Sequence, residues 1–472
     1  MINKHIFRAY DIRGLYPEDL NIETAYLIGK GTGSYLKRKY NTKNMAVGRD
    51  VRLSGESLQE AFIKGVTESG IDVIKVGLAP SPMIYWAACA MDFDSATNIT
   101  ASHNPKQYNG FKTVTKGAHS ICGDELQAVL KLIETEDFET SHPTGKISEQ
   151  NIWQEYKQDL LTKATLSRPL KVVIDAGNGV AGPFAPELLR EFGCEVIELY
   201  CDPDGNFPNH EANPEERHNM EDLINKVTQE KADLGIGFDG DADRIGIVDE
   251  TGHMYSSDFM LLLLVRDLLE RQKSPQIVFD VKVSQVIIND MKARGAIPVM
   301  SKTGHSFIEA KMKELNAPLG GEVSGHLFFG ENYYGFDDAL LAALKILSIV
   351  SKSETPLSLT FGDLPQVHTT PEYKAPCPDD KKFAIVESLV AHFTQNYDCI
   401  TIDGVRINFD ENSWGAIRAS NTSPNLTLRF EAPTIERLKE IETIMATEIK
   451  KYPEASLGWY QQLSSLLQRN NS

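Results

Sequence analysis

A hydroxyl and an imidazole stand side by side in the stretch Thr100-Ala101-Ser102-His103-Asn104-Pro105. Proline disfavours the α region at the residue before it and asparagine favours turns, so the stretch reads as a turn, with Ser102 the candidate covalent centre. The apolar run Met83 to Met91 precedes it and leads through small and polar residues to Ile99. The hydroxyl should therefore sit at the edge of a packed layer, in the kind of loop where chemistry is usually carried. A plain surface turn is the alternative, and the rest of the chain has to decide between them.

The next candidate is Asp239-Gly240-Asp241-Ala242-Asp243-Arg244, between the apolar runs Leu234 to Phe238 and Ile245 to Val248. Three carboxylates at alternate positions of a non-helical loop can turn toward one point, and oxygen-only ligands select a hard cation such as Mg²⁺ or Ca²⁺. Glu250 falls at the twelfth position of an EF-hand count, but Arg244 stands where that loop needs glycine. A solvated acidic turn is the bland reading. Gly320-Gly321-Glu322-Val323-Ser324-Gly325-His326 puts a carboxylate and a hydroxyl two residues apart, on one side of an extended loop, as sugar hydroxyls require. Arg418-Ala419-Ser420-Asn421-Thr422-Ser423-Pro424 groups a guanidinium with hydroxyls, an amide and turn backbone N–H groups, which suits a phosphate. A rival function comes from Gly177-Asn178-Gly179-Val180-Ala181-Gly182, which matches the dinucleotide fingerprint and has Asp202 downstream. It would make the protein an NAD-dependent oxidoreductase; a tight strand-to-helix turn is the preferred reading.

These loops need a scaffold, and the pattern strand, turn, helix, strand occurs three times. Met45–Gly48, a helix over Glu56–Glu68 and Asp72–Val76 form the first unit; Lys171–Ile174, Pro186–Phe192 and Cys194–Tyr200 the second; Gln276–Phe279, Gln285–Arg294 and Ala296–Met300 the third. Each first strand runs into an aspartate, Asp50, Asp175 or Asp280. Such apolar strands predict parallel or mixed α/β layers whose loops can converge on a central cleft. Beyond Asp363 a helix over Lys381–Phe393, strands over Ile400–Val405, Ala416–Arg418 and Leu426–Phe430, and a helix over Ile435–Lys450 predict an α+β unit with an antiparallel sheet. The expected domains are 1–150, 151–253, 254–366 and 367–472. Segments 351–356 and 369–378 read as linkers and 468–472 as a disordered tail.

Composition is that of an ordinary globular protein, 41% hydrophobic and 24% charged. The longest apolar run, Met83 to Met91, is far short of the ~20 residues of a membrane span, and the first residues lack a secretory core, so a cytoplasmic protein is expected. Six cysteines without a C-x-x-C pair disfavour zinc and redox motifs. A net charge of −18 disfavours nucleic-acid binding, although local cations can still hold anions in a cleft.

Together, Thr100 to Pro105, Asp239 to Arg244, Gly321 to His326 and Arg418 to Thr422 resemble, in this order, the motifs of the α-D-phosphohexomutases. Phe7 to Gly14, Asn109 to Lys112, Lys302 to Ser306 and Gly335 to Asp338 extend the resemblance to nearly the full length, nearest the bacterial phosphomannomutase/phosphoglucomutase group. The resemblance implies a phosphoserine at Ser102 and Mg²⁺ held by that group and by Asp239, Asp241 and Asp243. Arg13, Lys112 and Arg244 would supply cations, and His103 and Lys112 would orient groups or transfer protons. Sugar and phosphate contacts are implied at Tyr10, Arg244, Lys282, His305, Glu322, Val323, Ser324, Gly325, His326, Arg418, Ala419, Ser420, Asn421 and Thr422. It further implies a monomer without nucleic-acid or membrane partners. Its reaction would interconvert hexose 6-phosphate and hexose 1-phosphate through a 1,6-bisphosphate, which also activates, feeding nucleotide-sugar and polysaccharide synthesis. Ala242, Ser301 and Gln285 depart from the pattern, where glycine, tryptophan and arginine are common. A phosphoglucosamine mutase and a non-catalytic sugar-phosphate sensor are the neighbouring alternatives.

Overall fold

The computed structural model describes residues 2–421 and 423–460. Three mixed α/β sheets follow one another, and an antiparallel sheet closes the series. The first three share one core arrangement. In the first sheet Asn44–Arg49 lies parallel to Asp72–Leu78 and to Ser95–Ile99, and Tyr108–Thr115 returns antiparallel to Ser95–Ile99. In the second, Lys171–Asp175 takes the central place, Glu195–Leu199 and Leu234–Phe238 flank it in parallel, and Ile245–Asp249 returns. In the third, Gln276–Asp280 is flanked by Ile297–Ser301 and Leu319–Gly321, and Leu327–Phe329 returns. The hairpin that follows the last parallel strand therefore recurs three times. Its connections are Thr100–Gln107, Asp239–Arg244 and Glu322–His326.

The strands are apolar because both faces are covered. The helix Ser81–Ala90 contains no charged residue, and its side chains from Ser81 to Ala88 are buried, as expected of a helix apolar all round. Ala339–Lys352 is similarly buried and is capped by Asp338, which accepts from Leu341 N at 2.9 Å. One continuous hydrophobic core joins the three units, from Ala46 and Trp86 through Tyr156, Ile236 and Phe279 to Leu344. The fourth unit has its own core around Tyr373, Phe430 and Trp459. Polar contacts link it to the third: Arg406 donates to Val281 O at 2.7 Å, Val283 O at 2.8 Å and Gln285 Oε1 at 3.1 Å, with its guanidinium 3.8 Å over the Trp414 ring.

Some expectations fail at particular residues. The single strand over Ile400–Val405 is two, Asp398–Ile400 and Val405–Asp410, because Gly404 at φ +69° turns the chain between antiparallel partners. Segment 369–378 is not merely a linker. Its strand Tyr373–Pro376 pairs with Asn425–Ala432 and buries alternate residues, Tyr373 and Ala375, a period-two signal outweighed by its prolines. Met254–Tyr255 pairs with Ile245–Asp249, so the second sheet extends past the expected start of the third unit at 254. The tail 468–472 lies outside the described residues.

The backbones come close where the Ser102 sheet meets its edge strand Ile12–Leu15, which carries Arg13 opposite Gly110. A Cβ at Gly110 would lie 2.1 Å from Ile12 O. Gly110→Ala should therefore push this strand away, costing about 1–3 kcal/mol as overpacking does. Differential scanning calorimetry should show a lower Tm; an unchanged Tm would show that the edge strand moves freely.

Candidate active site

The recurring hairpin loops and the turn after Ser413–Ala419 converge on one cleft of about 560 Å³. Tyr10, Arg13, Ser102, His103 and Lys112 reach it from the first unit, Arg244 from the second, Lys282, His305, Glu322, Ser324 and His326 from the third, and Arg418, Ser420 and Asn421 from the fourth. One chain therefore supplies a cleft from four sheets.

Ser102 has φ +51°, a left-handed conformation that a serine adopts only when its surroundings impose it. Its amide donates to Thr100 Oγ1 at 2.9 Å, and Thr100 Oγ1 donates to Asp50 Oδ2 at 2.7 Å. Asp50 also accepts from Arg52 Nε at 3.0 Å. The Ser102 hydroxyl donates to Asp239 Oδ2 at 2.7 Å and lies 3.2 Å from His103 Nδ1. Burial lowers the His103 pKa well below the usual value, and Arg244 and Arg13 add to the effect, so the ring is neutral near pH 7.

Asp239, Asp241 and Asp243 are buried, and each offers one oxygen within 4.8 Å of the others. The approach is possible because position 240 is glycine: a Cβ there would lie 2.5 Å from Ser102 O. Ser81 donates to Asp241 Oδ2 at 2.6 Å through its hydroxyl and to Asp241 O at 2.9 Å through its amide. Lys112 Nζ reaches Asp241 Oδ2 at 2.7 Å and Asp243 Oδ2 at 2.5 Å. Burial opposes a charge on Lys112, yet the two aspartates hold its pKa well above the usual lysine value. Burial and its two neighbours push the Asp239 carboxyl up. Among the described residues Asp241 Oδ1 has no hydrogen-bond partner, and Asp243 Oδ1 has only the His326 ring at 3.3 Å. Crowded, buried carboxylates with an unsatisfied oxygen beside a hydroxyl fit a hard divalent cation.

The other cations facing the cleft are each held by a carboxylate. Arg13 Nη2 meets Asp11 at 2.6 Å, Arg244 Nη1 meets Glu215 at 3.7 Å, Lys282 meets Glu372 at 2.5 Å, and Arg418 Nε meets Asp403 at 2.6 Å. Arg13 Nη1 also donates to Asn104 Oδ1 at 3.0 Å. Arg418 Nη2 is buried and, among the described residues, has no partner. Glu322 Oε1 accepts from Gly304 N at 2.5 Å, and its other oxygen lies 3.2 Å from His326 Nδ1. His326 Nε2 lies 3.3 Å from Asp243 Oδ1. Burial and Arg244 disfavour the imidazolium, but Asp243 and Glu322 raise the His326 pKa to about 10. Burial and then Lys112 lower that of His305 to about 4. Tyr10 donates to Thr303 O at 2.7 Å and accepts from Asn421 Nδ2, joining first, third and fourth units.

Not every expected contact faces the cleft. Val323 and Ala419 point into the hydrophobic cores, since neighbours along an extended segment face opposite sides. Gly325, at φ +103°, turns the loop and does not line the cleft. Thr422 lies outside the described residues. The glycine run 177–182 is a closed turn: the amides of Gly177, Asn178, Gly179, Val180 and Gly182 already bond to Asp175, Tyr200, Ala176, Gly240 and Gly179, leaving none of these five for a pyrophosphate. Sequence reading missed Ser81, Glu215, Glu372 and Asp403, whose partners lie 15 or more residues away in the chain, and also Asp11, whose partner Arg13 is only two residues on. Arg52 was also missed, although its position two residues after Asp50 parallels Lys282 after Asp280.

Comparison with known proteins agrees with this geometry. Sequence models described as phosphoglucomutase/phosphomannomutase match consecutive stretches: alpha/beta/alpha domain I at residues 4–140, domain II at 152–252, domain III at 256–368, and the C-terminal domain at 372–448. The chain is 43% identical over 446 residues to the phosphomannomutase/phosphoglucomutase of Pseudomonas aeruginosa, covering 94% of this chain and 95% of that one. It is 41% identical over 455 residues to the phosphoglucomutase of Neisseria meningitidis serogroup A, covering 96% and 98%. A phosphoglucomutase/phosphomannomutase family protein of Burkholderia thailandensis, solved by X-ray crystallography, is similar with a TM-score of 0.89 and 38% identity, over 97% of this chain and 99% of that one.

Ala242 sits inside the acidic loop at φ +59°, where an L-residue is strained and glycine is not. Ala242→Gly should raise stability by up to about 1 kcal/mol, the relief being partly offset by a freer unfolded chain. Thermal melts should show a small gain, with Mg²⁺ affinity by calorimetry unchanged. A lower Tm would show that the methyl group contributes packing worth more than the strain.

Proposed function

This chain belongs to the phosphoglucomutase/phosphomannomutase family, and on that premise we propose that it interconverts hexose 6-phosphates and hexose 1-phosphates of mannose and glucose. The observation that carries the reading is the Ser102 hydroxyl, 2.7 Å from Asp239 in a buried aspartate cluster at the edge of a cation-lined cleft. Ser102 carries the phosphoryl group. It hands that group to the free hydroxyl of a bound hexose monophosphate as the bond from phosphorus to Oγ breaks. The resulting 1,6-bisphosphate turns in the cleft, and Ser102 takes up the other phosphoryl group. The same bisphosphate, supplied from outside, recharges an enzyme that has lost its phosphoryl group.

Phosphoryl transfer depends on positioning and charge neutralisation more than on covalent assistance. Asp239, Asp241 and Asp243, with an oxygen at Ser102, would hold Mg²⁺, which when bound supplies positive charge next to the transferring group. Arg13, Lys112 and Arg244 add fixed cations on the cleft side. His103, neutral and 3.2 Å from the Ser102 oxygen, is the better proton acceptor, since Lys112 is held protonated by its aspartates. Glu322 and Ser324 address sugar hydroxyls, while Lys282, Arg418 and the turn at Ser420 and Asn421 hold the phosphate that is not reacting. The orphaned Arg418 Nη2 supports that role. His305, His326 and Tyr10 close the walls around the sugar.

The relatives reported above are named for mannose and glucose, so a phosphoglucosamine mutase is not favoured. A single chain builds the whole cleft, which supports a monomer. Its partners are then phosphorylated hexoses, and the cytoplasm is their place, because sugar phosphates are charged and do not cross membranes. Among the described residues no helix is long and apolar enough to span one.

A coupled assay on mannose 1-phosphate and glucose 1-phosphate, with and without chelator, tests the reading. Activity should need Mg²⁺, and intact mass should show one phosphate that Ser102→Ala loses together with activity. A phosphate persisting in Ser102→Ala would overturn the assignment, and substrate binding without turnover would leave the sensor. For the distal grip, a charge-assisted contact is worth about 1.5–3 kcal/mol, so Arg418→Ala should lower kcat/KM by about 10- to 150-fold. Both sugars should suffer alike; a large change in sugar preference would show that Arg418 does not hold the remote phosphate.

A further inference from the structure

The three repeated units place an aspartate at the end of the same central strand, and each accepts from the amide two residues on: Asp50 from Arg52 at 2.9 Å, Asp175 from Gly177 at 2.8 Å, Asp280 from Lys282 at 3.2 Å. In the third unit the side chain at this position, Lys282, lines the cleft. In the first it does not. The Arg52 side chain is fully buried and is absent from the cleft lining.

One of its five donors holds Asp50, and the other four are committed to the serine loop and the first residue of the strand after it. Nε meets Asp50 Oδ2 at 3.0 Å, Nη1 donates to Pro105 O at 2.8 Å and Tyr108 O at 2.9 Å, and Nη2 donates to Ser102 O at 2.8 Å and Asn104 O at 2.6 Å. One guanidinium thus gathers three carbonyl oxygens of the Ser102 loop, and a fourth at its exit, into the protein. Those oxygens carry partial negative charge and would repel a phosphoryl group if they faced it. Asp50, held by the same guanidinium, anchors Thr100, and Thr100 fixes the Ser102 amide. The second unit rests on this turn too, with the Phe207 ring 5.4 Å from the guanidinium and Gly205 packed against Val51 O.

We infer that Arg52 is a positioning residue for phosphoryl transfer: without touching substrate, it presets the left-handed Ser102 loop so that the hydroxyl faces the cleft and the loop carbonyls do not. This rests on Ser102 being the phosphoryl carrier. Lysine keeps the charge but lacks the planar fork that spans one carboxylate and four carbonyls. Small misplacements of a reacting group cost up to about 100-fold. Arg52→Lys in the full chain should therefore lower kcat by about 10- to 100-fold on both sugar phosphates, with KM within about threefold of the parent. Mg²⁺ binding, read by calorimetry, should weaken far less than kcat falls, since the three aspartates are not among its partners and only the Ser102 oxygen would shift. Thr100→Val, which leaves the ion pair intact and cuts only the strut to the Ser102 amide, should lower kcat in the same direction by less.

A folded Arg52→Lys with unchanged kcat, or with a loss borne wholly by KM, overturns the inference. If Arg52→Lys does not fold, Thr100→Val decides, and unchanged kcat there overturns it. Ser102→Ala separates the two levels: activity surviving in that variant would overturn the phosphoserine reading itself rather than the role of Arg52.

Discussion

The meeting of the Ser102 hairpin with the aspartate hairpin is the contact on which the rest of the site depends. Ser102 to Asp239, Ser81 to Asp241, and Lys112 to Asp241 and Asp243 are all bonds between the first and second units. They form because Gly240 lets the two backbones approach and because one hydrophobic core runs beneath both sheets and on into the third. Three carboxylates buried together repel one another and lose their hydration, and such a cluster persists only when cations and hydroxyls answer it. Lys112 and Ser81 do so here, so the two units are held in register by the group that the chemistry requires.

The same topological device is used three times. A parallel strand ends, a short loop crosses the mouth of the sheet, and an antiparallel strand returns; ligand sites in open α/β sheets lie beyond such strand ends. In the first unit the loop carries Ser102, in the second Asp239, Asp241 and Asp243, in the third Glu322 and Ser324. Divergent function on a repeated frame also explains the carboxylates around the cleft. A cation in a half-buried wall needs a partner to keep its direction, and Asp11, Glu215, Glu372 and Asp403 each fix one. The net result is a cleft lined with fixed cations in a protein of strongly negative charge.

The fourth unit stands apart energetically. Its core is separate, and Arg406, Arg429 and Glu431 attach it to the third unit through the turn around Lys282 and through Ser256 and Gln285. Polar interfaces of this kind permit relative domain motion more readily than a shared core does. In the proposed reaction a bisphosphate turning within the site would use such freedom, and the transfer step would use the rigid frame of the first three units.

Much was legible along the chain. Local patterning named the strands, since apolar runs ending at Asp50, Asp175 and Asp280 are short-range signals, and the motifs at Ser102, Asp239 and Glu322 are contiguous turns whose chemistry is carried by adjacent residues. The left-handed Ser102, the pairing of Tyr373–Pro376 with a strand some fifty residues later, and the inward direction of Val323 and Ala419 were not. Partners such as Ser81 for Asp241, Glu372 for Lys282 and Asp403 for Arg418 are fixed by side chains that meet only after the sheets have packed. Sequence order determines which groups a loop can offer, because that depends on neighbours in the chain. Which charge neutralises which, and which oxygens turn away from the cleft, is decided in three dimensions, because burial makes every unpaired polar group costly and the available partner comes from another sheet.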